Sequence, residues 1–256
     1  MSTALVTGGT SGIGAAFATE LASRGTNLVL VARDPARLAE TAEDLGTRFG
    51  VEVEVLQADL DDHDDTQRVA DRLLDPARPI DLLVNNAGFG LHSTLLGEDI
   101  GVHERAINVM MRAVFVLTNA AARAMVARGS GRIINVASSS AYITMGHYSA
   151  IKSYVLTLSE GLAVELRGTG VSVTAVCPGW VRTEFHDRAG IDASKLPKIV
   201  WVEVDDVVRE GLAASAAGKV VCVPRIGWKA ATVLARLVPR VLIRWASGIL
   251  VSSRRK

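Results

Sequence analysis

Tyr148 and Lys152 stand four residues apart, ten and fourteen residues after Ser138. On a helix that spacing puts both side chains on one face and brings an ammonium beside a phenol. A free phenol has a pKa of about 10 and transfers protons poorly near neutrality. A neighbouring cation stabilises its anion and moves it toward the working range, where general acid–base catalysis is effective. Tyr-x-x-x-Lys also occurs on solvated helix faces. What singles this pair out is its company: Asn108, the run Ser138-Ser139-Ser140, and a glycine-rich opening. Tyr154 is excluded because Leu158, not a lysine, follows it by four.

The opening reads Thr7, Gly8, Gly9, Thr10, Ser11, Gly12, Ile13, Gly14, between a short apolar run and a helix-like segment. Glycines there permit positive φ and let a diphosphate approach the backbone. The following helix N-terminus offers unpaired N–H groups and partial positive charge. Thr10 and Ser11 add hydroxyl donors. An ordinary tight turn would also use glycine, but this one follows the first strand of a chain that alternates strand and helix.

Short apolar runs at 4–7, 28–32, 51–57, 80–84, 132–137, 171–176 and 219–223 alternate with helix-like segments at 13–24, 35–49, 66–74, 102–128, 148–167 and 205–217. Near-continuous Val/Leu/Ile strands between helices indicate a parallel sheet covered on both faces. The expected fold is α/β: a Rossmann-type doubly wound parallel β-sheet of about seven strands flanked by helices, with ligands at the strands' carboxyl ends. Residues 1–225 form the expected catalytic, dinucleotide-binding domain and 226–256 a basic amphipathic C-terminal extension.

The chain has 256 residues, with 28 Lys and Arg against 27 Asp and Glu, a balance that argues against a nucleic-acid-binding protein. Cys177 and Cys222 are read as small buried side chains, and no metal site is expected. With no charged leader or apolar signal before the first run, the expected compartment is the cytoplasm.

These motifs in this order resemble the short-chain dehydrogenase/reductase family over about the first 225 residues. Thr7, Gly8, Gly12 and Gly14 match its glycine loop, and Asn85, Asn86, Ala87 and Gly88 match its Asn-Asn-Ala-Gly element. Asn108, Ser138, Tyr148 and Lys152 match its catalytic residues, and Pro178, Gly179 and Thr183 an element that follows strand six. The resemblance implies that Tyr148 is the acid in ketone reduction and the base in alcohol oxidation. It implies that Lys152 lowers the phenol's pKa and holds the cofactor ribose, and that Ser138 orients the carbonyl. Asn108 would hold a water linking Lys152 to solvent. Cofactor contacts are expected from Gly8, Thr10, Ser11, Gly12, Ile13, Gly14, Asn86, Ala87, Gly88, Tyr148, Lys152, Pro178, Gly179 and Thr183. Asp59 resembles the family's adenine contact. A homodimer or homotetramer, packed through the helices around 102–128 and 148–167, is also implied.

Cofactor choice is read where strand two ends, at Ala32-Arg33-Asp34. An acidic side chain there binds a ribose 2′-hydroxyl, whereas a 2′-phosphate calls for a cation. Arg33 presents a guanidinium fork suited to phosphate, and Asp34, before Pro35, reads as a helix cap. NADP(H) is therefore preferred over NAD(H), although Ser11 stands where many NADP-binding relatives carry a second cation.

From 227 to 250, Val233, Leu234, Leu237, Val238, Val241, Leu242 and Trp245 recur at helical spacing beside a stripe of Arg236, Arg240 and Arg244. Pro239 should kink or divide the segment. It could pack on the body or a second subunit, touch a membrane surface, or cover a long-chain substrate through Leu237, Val241 and Trp245. The expected activity is interconversion of a ketone and a secondary alcohol, most naturally reduction of a hydrophobic or 3-oxoacyl-type ketone. NAD(H)-dependent alcohol or hydroxysteroid oxidation and a non-catalytic dinucleotide-binding regulator are the alternatives.

Overall fold

The computed structural model describes residues 2–91, 93–182 and 200–252. Seven strands form one parallel sheet: β1 (Thr3–Thr7), β2 (Asn27–Ala32), β3 (Val53–Gln57), β4 (Leu82–Asn85), β5 (Gly131–Val136), β6 (Val171–Val176) and, later in the chain, β9 (Val221–Cys222). Their order is β3-β2-β1-β4-β5-β6-β9. The order reverses between β1 and β4, which opens a crevice at their carboxyl ends. Along β1, Ala4 and Val6 face one side of the sheet and Leu5 the other, and all three are fully buried. Burial on both faces explains why the strands read as continuous apolar runs.

One face is covered by α1 (Gly12–Ser23), α2 (Pro35–Phe49) and α7 (Val204–Ala216), through Phe17, Leu38, Leu45 and Val207. The other is covered by α3 (His63–Leu74), α5 (Ala113–Arg128) and α6 (Gly146–Glu165), through Val69, Leu73, Leu117 and Ile151. The caps follow the sequence. Asp34 accepts from the N–H groups of Ala36 and Arg37, with Pro35 at the first turn. Asp62 does the same for Asp64 and Asp65, so α3 starts at His63 rather than at 66.

The helix expected over 102–128 is interrupted. A short α4 (Gly101–Ile107) runs into a π-helical turn, Asn108–Arg112, before α5. The N–H of Ala113 there donates to the Asn108 carbonyl five residues back. The whole stretch is long and apolar enough to cross a membrane by length and composition. Its buried Leu117, Ala120, Ala121 and Met125 make it a core helix.

Two short parallel strands, β7 (Trp180–Val181) and β8 (Trp201–Val202), pair outside the main sheet and were not legible as strands. Cys177 and Cys222 are buried free thiols, raised by burial to about 12 and about 11. The chain enters its tail at Arg225 with φ +65°. Pro239 divides that tail into α8 (Ile226–Leu237) and α9 (Arg240–Ser252), as its missing N–H and fixed φ require.

Candidate active site

The carboxyl ends of the strands frame a cleft of about 1030 Å³. Its floor carries Tyr148 and Lys152 on α6, one turn apart. Lys152 is buried; its Nζ donates to the Val136 carbonyl at 3.0 Å and lies 5.7 Å from the centre of the Tyr148 ring. Ser138 leaves β5 in extended conformation, and its hydroxyl is hydrogen-bonded with the Tyr148 phenol. It also accepts from the Ser140 N–H at 3.1 Å, capping a 3-10 turn, Ser139–Tyr142. Of the three serines, Ser138 is the one set against the tyrosine.

Burial shifts both groups of this pair toward their neutral forms. Burial raises Tyr148 to about 12, and the hydrogen bond with Ser138 opposes that rise. Burial also lowers Lys152, to about 8. The Lys152 ammonium is aimed at the Val136 carbonyl.

Asn108 Nδ2 donates to Asp61 Oδ1 at 3.0 Å. At the start of the π turn, its side chain is committed to the loop between β3 and α3. The bond ties the interrupted helix to that loop.

The glycine turn is stitched to the Asn-Asn-Ala-Gly element through buried Thr7. Thr7 Oγ1 accepts from the N–H groups of Asn86 and Ala87 at 2.9 and 3.0 Å, and Asn86 Nδ2 donates to the Thr7 carbonyl at 3.0 Å. Gly8 (φ +66°) and Gly12 (φ +52°) adopt conformations that disfavour side chains. A Cβ at Gly8 would come within 3.0 Å of Asn86 Nδ2. Thr10, Ser11, Ile13, Ala87 and Gly88 line the cleft with them. Gly14 does not. It lies buried beneath the turn, where a Cβ would collide with the Gly8 carbonyl and Asn86 Nδ2. Close packing of α1 against the turn requires a glycine here.

Arg33 and Asp59 line the far end of the cleft, 3.8 Å apart between Arg33 Nη1 and Asp59 Oδ2. Arg105 reaches the same carboxylate oxygen at 3.6 Å. Arg37 also lines this end, and its Nη2 donates to the Thr10 carbonyl at 3.2 Å. α2 thus sets a second cation beside the glycine turn. Sequence reasoning passed over it, although Arg37 follows Arg33 by four residues.

The opposite end is more apolar. Tyr142, Ile143, Met145 and Trp180 meet Trp228, Ala231, Thr232 and Ala235 of α8. Trp228 fills the space beside Gly179 that any side chain there would need, and its Nε1 donates to the Val200 carbonyl at 3.0 Å. Pro178 and Gly179 line the cleft; Thr183 lies outside the described residues. The tail does form a wall, but with the face opposite to the one expected. Leu237, Val241 and Trp245 point outward, 77, 63 and 69 % exposed.

A buried polar chain beneath the site was also missed. Asn85 Nδ2 donates to Asn135 Oδ1 at 2.9 Å, and Asn135 Nδ2 to Ser159 Oγ at 3.0 Å, pinning α6 to the sheet. Its signal was two asparagines in apolar strands, Asn85 at the end of β4 and Asn135 one residue before the end of β5, and a serine seven residues after Lys152.

A parallel sheet with a glycine turn at its switch point and a Ser/Tyr/Lys group at its carboxyl edge defines a nicotinamide-dinucleotide oxidoreductase of the Rossmann class. The family model for short chain dehydrogenases matches residues 2–193. The chain belongs to the short-chain dehydrogenase/reductase family, whose members bind NAD(P)(H) and act on CH–OH groups. A short-chain dehydrogenase from Sphingobium yanoikuyae, solved in complex with NADPH, is similar with a TM-score of 0.84 and 39 % identity, over 92 % of this chain and 94 % of that one. A bulky-bulky ketone specific alcohol dehydrogenase from Comamonas testosteroni gives 0.80 and 32 %, over 93 and 92 %. A 3-oxoacyl-(acyl-carrier-protein) reductase of Synechocystis is 33 % identical over 188 residues, 72 % of this chain and 76 % of the relative.

Proposed function

We propose that the chain is an NADP(H)-dependent reductase of a bulky, hydrophobic ketone, 3-oxoacyl compounds included. One observation carries the reading. A single cleft joins a phosphate-suited end, with Arg33 and Arg37, through the Ser138–Tyr148 pair, to an apolar end walled by Tyr142, Met145, Trp180 and Trp228. The glycine turn, crowded against Asn86 and Ala87, fits a dinucleotide diphosphate because its backbone can be approached closely. The NADPH-bound relative and the bulky-ketone relative support the two ends separately.

Bound there, the nicotinamide supplies the hydride. Ser138 donates to the substrate carbonyl oxygen and holds it against Tyr148. Burial that keeps Tyr148 protonated at neutral pH suits the acid role: its phenolic proton passes to the oxygen as alkoxide character develops. Lys152, cationic below about pH 8, stabilises the resulting phenolate and holds the ribose hydroxyls. Gly8, Thr10, Ser11, Gly12, Ile13, Asn86, Ala87, Gly88, Pro178 and Gly179 make the remaining cofactor contacts. NAD(H)-dependent alcohol oxidation is the second reading; it draws on Asp59, an acidic group at the end where a ribose would lie.

We assign the exposed Phe115 of α5 and Val164 of α6 to contact with a second copy, and the cytoplasm as compartment. The outer face of the tail is assigned to a peripheral contact. The direct test is NADPH oxidation against a panel of ketones graded in bulk on both sides of the carbonyl. The reading predicts that kcat/KM rises with bulk; a preference for small aldehydes, or for NAD+ with alcohols, contradicts it.

A further inference from the structure

Charge is divided unevenly along this chain. Residues 226–256 hold seven of the 28 Lys and Arg and none of the 27 Asp and Glu, leaving 21 cations against 27 acids in residues 1–225. A balanced protein is thus an acidic body with a strongly basic tail.

The structure orients that tail. On α8, Lys229 pairs with Glu210 and Arg236 with Glu160, both at 3.1 Å, and Thr232 is buried. On α9, Ile243 and Ser247 are buried, and Ser247 Oγ accepts from the Thr144 N–H at 3.3 Å. Pinning these faces turns the others outward. Val233, Leu234 and Leu237 on α8 and Val241, Leu242 and Trp245 on α9 form an apolar ridge across Pro239, each more than half exposed. Arg240 and Arg244 flank it, exposed and without a carboxylate partner among the described residues.

We propose that this ridge docks the enzyme on an anionic lipid surface. An apolar stripe with an interfacial aromatic, edged by arginines, suits a helix lying in the plane of a bilayer: apolar side chains enter the acyl boundary while guanidiniums meet lipid phosphates. A second copy is the competing occupant, and charge disfavours it. An isologous contact would set the basic, acid-free ridge against itself. The body below faces the other way: α8 lines the cleft with Trp228, Ala231 and Thr232, so docking brings a cleft wall to the lipid surface. The docking itself stands apart from the reductase reading, since lipid binding requires no turnover.

The test is co-sedimentation of the full chain with phosphatidylglycerol and with phosphatidylcholine vesicles, with Trp245 emission followed against a Trp245→Phe control. Partition onto phosphatidylglycerol should be at least about tenfold stronger, weaken with added salt, and blue-shift Trp245. The Arg240→Glu, Arg244→Glu double variant should lose at least about tenfold in partition while NADPH binding and turnover of a small soluble ketone stay unchanged. Absence of partition at low salt, or equal binding to both lipids, would overturn the proposal. So would a Leu237→Glu, Trp245→Glu variant that changes oligomeric state in light scattering, because a second copy then covers the ridge. If either multiple variant fails to fold, the wild-type lipid comparison and the conservative Trp245→Phe spectrum still decide.

Discussion

Lys152 Nζ lies 5.7 Å from the centre of the Tyr148 ring, one helical turn away, and donates to the carbonyl of Val136. Burial lowers the lysine to about 8 and raises the phenol to about 12. The two shifts favour the neutral form of each group, the ordinary consequence of desolvation. At pH 7 the lysine is still mostly cationic and the tyrosine fully protonated, which are the states that ketone reduction needs.

That arrangement gives a pH dependence with a definite sign. A lysine with a lowered pKa holds its charge below that value and loses it as pH rises through about 8. If the ammonium holds the ribose, NADPH affinity falls above pH 8. In Lys152→Met, affinity should be weaker throughout and flat across this range, with kcat reduced at least about tenfold, ~1.4 kcal/mol. Fluorescence titration of NADPH from pH 6 to 10 measures it; an unchanged dissociation constant in the variant removes the ribose role.

Arg33 and Arg37 should read the 2′-phosphate together. Removing one charge-assisted hydrogen bond typically costs about 1.5–3 kcal/mol. Arg33→Ala and Arg37→Ala should each weaken NADPH by that amount and NADH far less. Equal losses for both nucleotides would show that neither side chain selects the phosphate. Arg37→Ala also removes the bond to the Thr10 carbonyl, so its effect on NADH gauges how much it supports the loop.

The α8 wall predicts a size-dependent defect. Ala231→Phe adds bulk to the α8 wall of the cleft. The ratio of kcat/KM for a bulky ketone to that for a small one should fall at least about tenfold, with NADPH affinity unchanged. A uniform loss on both ketones would mean that α8 does not face the substrate.

Phe115 and Val164 are 51 and 57 % exposed on neighbouring helices of the core. Phe115→Glu with Val164→Glu should reduce a dimer or tetramer to a 27.1 kDa monomer in light scattering. A wild-type protein that is already monomeric at micromolar concentration contradicts the assignment.

The sheet was legible because its central strands are buried on two faces and leave continuous apolar runs, and the start of α2 because Asp34 and Pro35 declare it. The Ser/Tyr/Lys group was legible from spacing. What escaped depends on three-dimensional reach. Arg37 is an unremarkable helix residue until α2 is set beside Thr10. The tie between Asn108 and Asp61 depends on the π turn, which no local pattern declares. The α8 wall escaped for a related reason: both faces of the tail are apolar, so periodicity gave the helix but not which side meets the body. Asn135 and Ser159 fall at ordinary positions and become partners only when α6 lies across the sheet.

The measurement closest to the central claim is single-turnover ketone reduction by Tyr148→Phe, alongside its NADPH dissociation constant. The substitution removes one hydroxyl from a partly buried ring and with it the proton given to the product oxygen. The account predicts that NADPH binding is retained within about twofold while the hydride-transfer rate falls by two or more orders of magnitude, about 2.7 kcal/mol or more. A variant that keeps more than about a tenth of the wild-type rate would contradict Tyr148 as the proton donor.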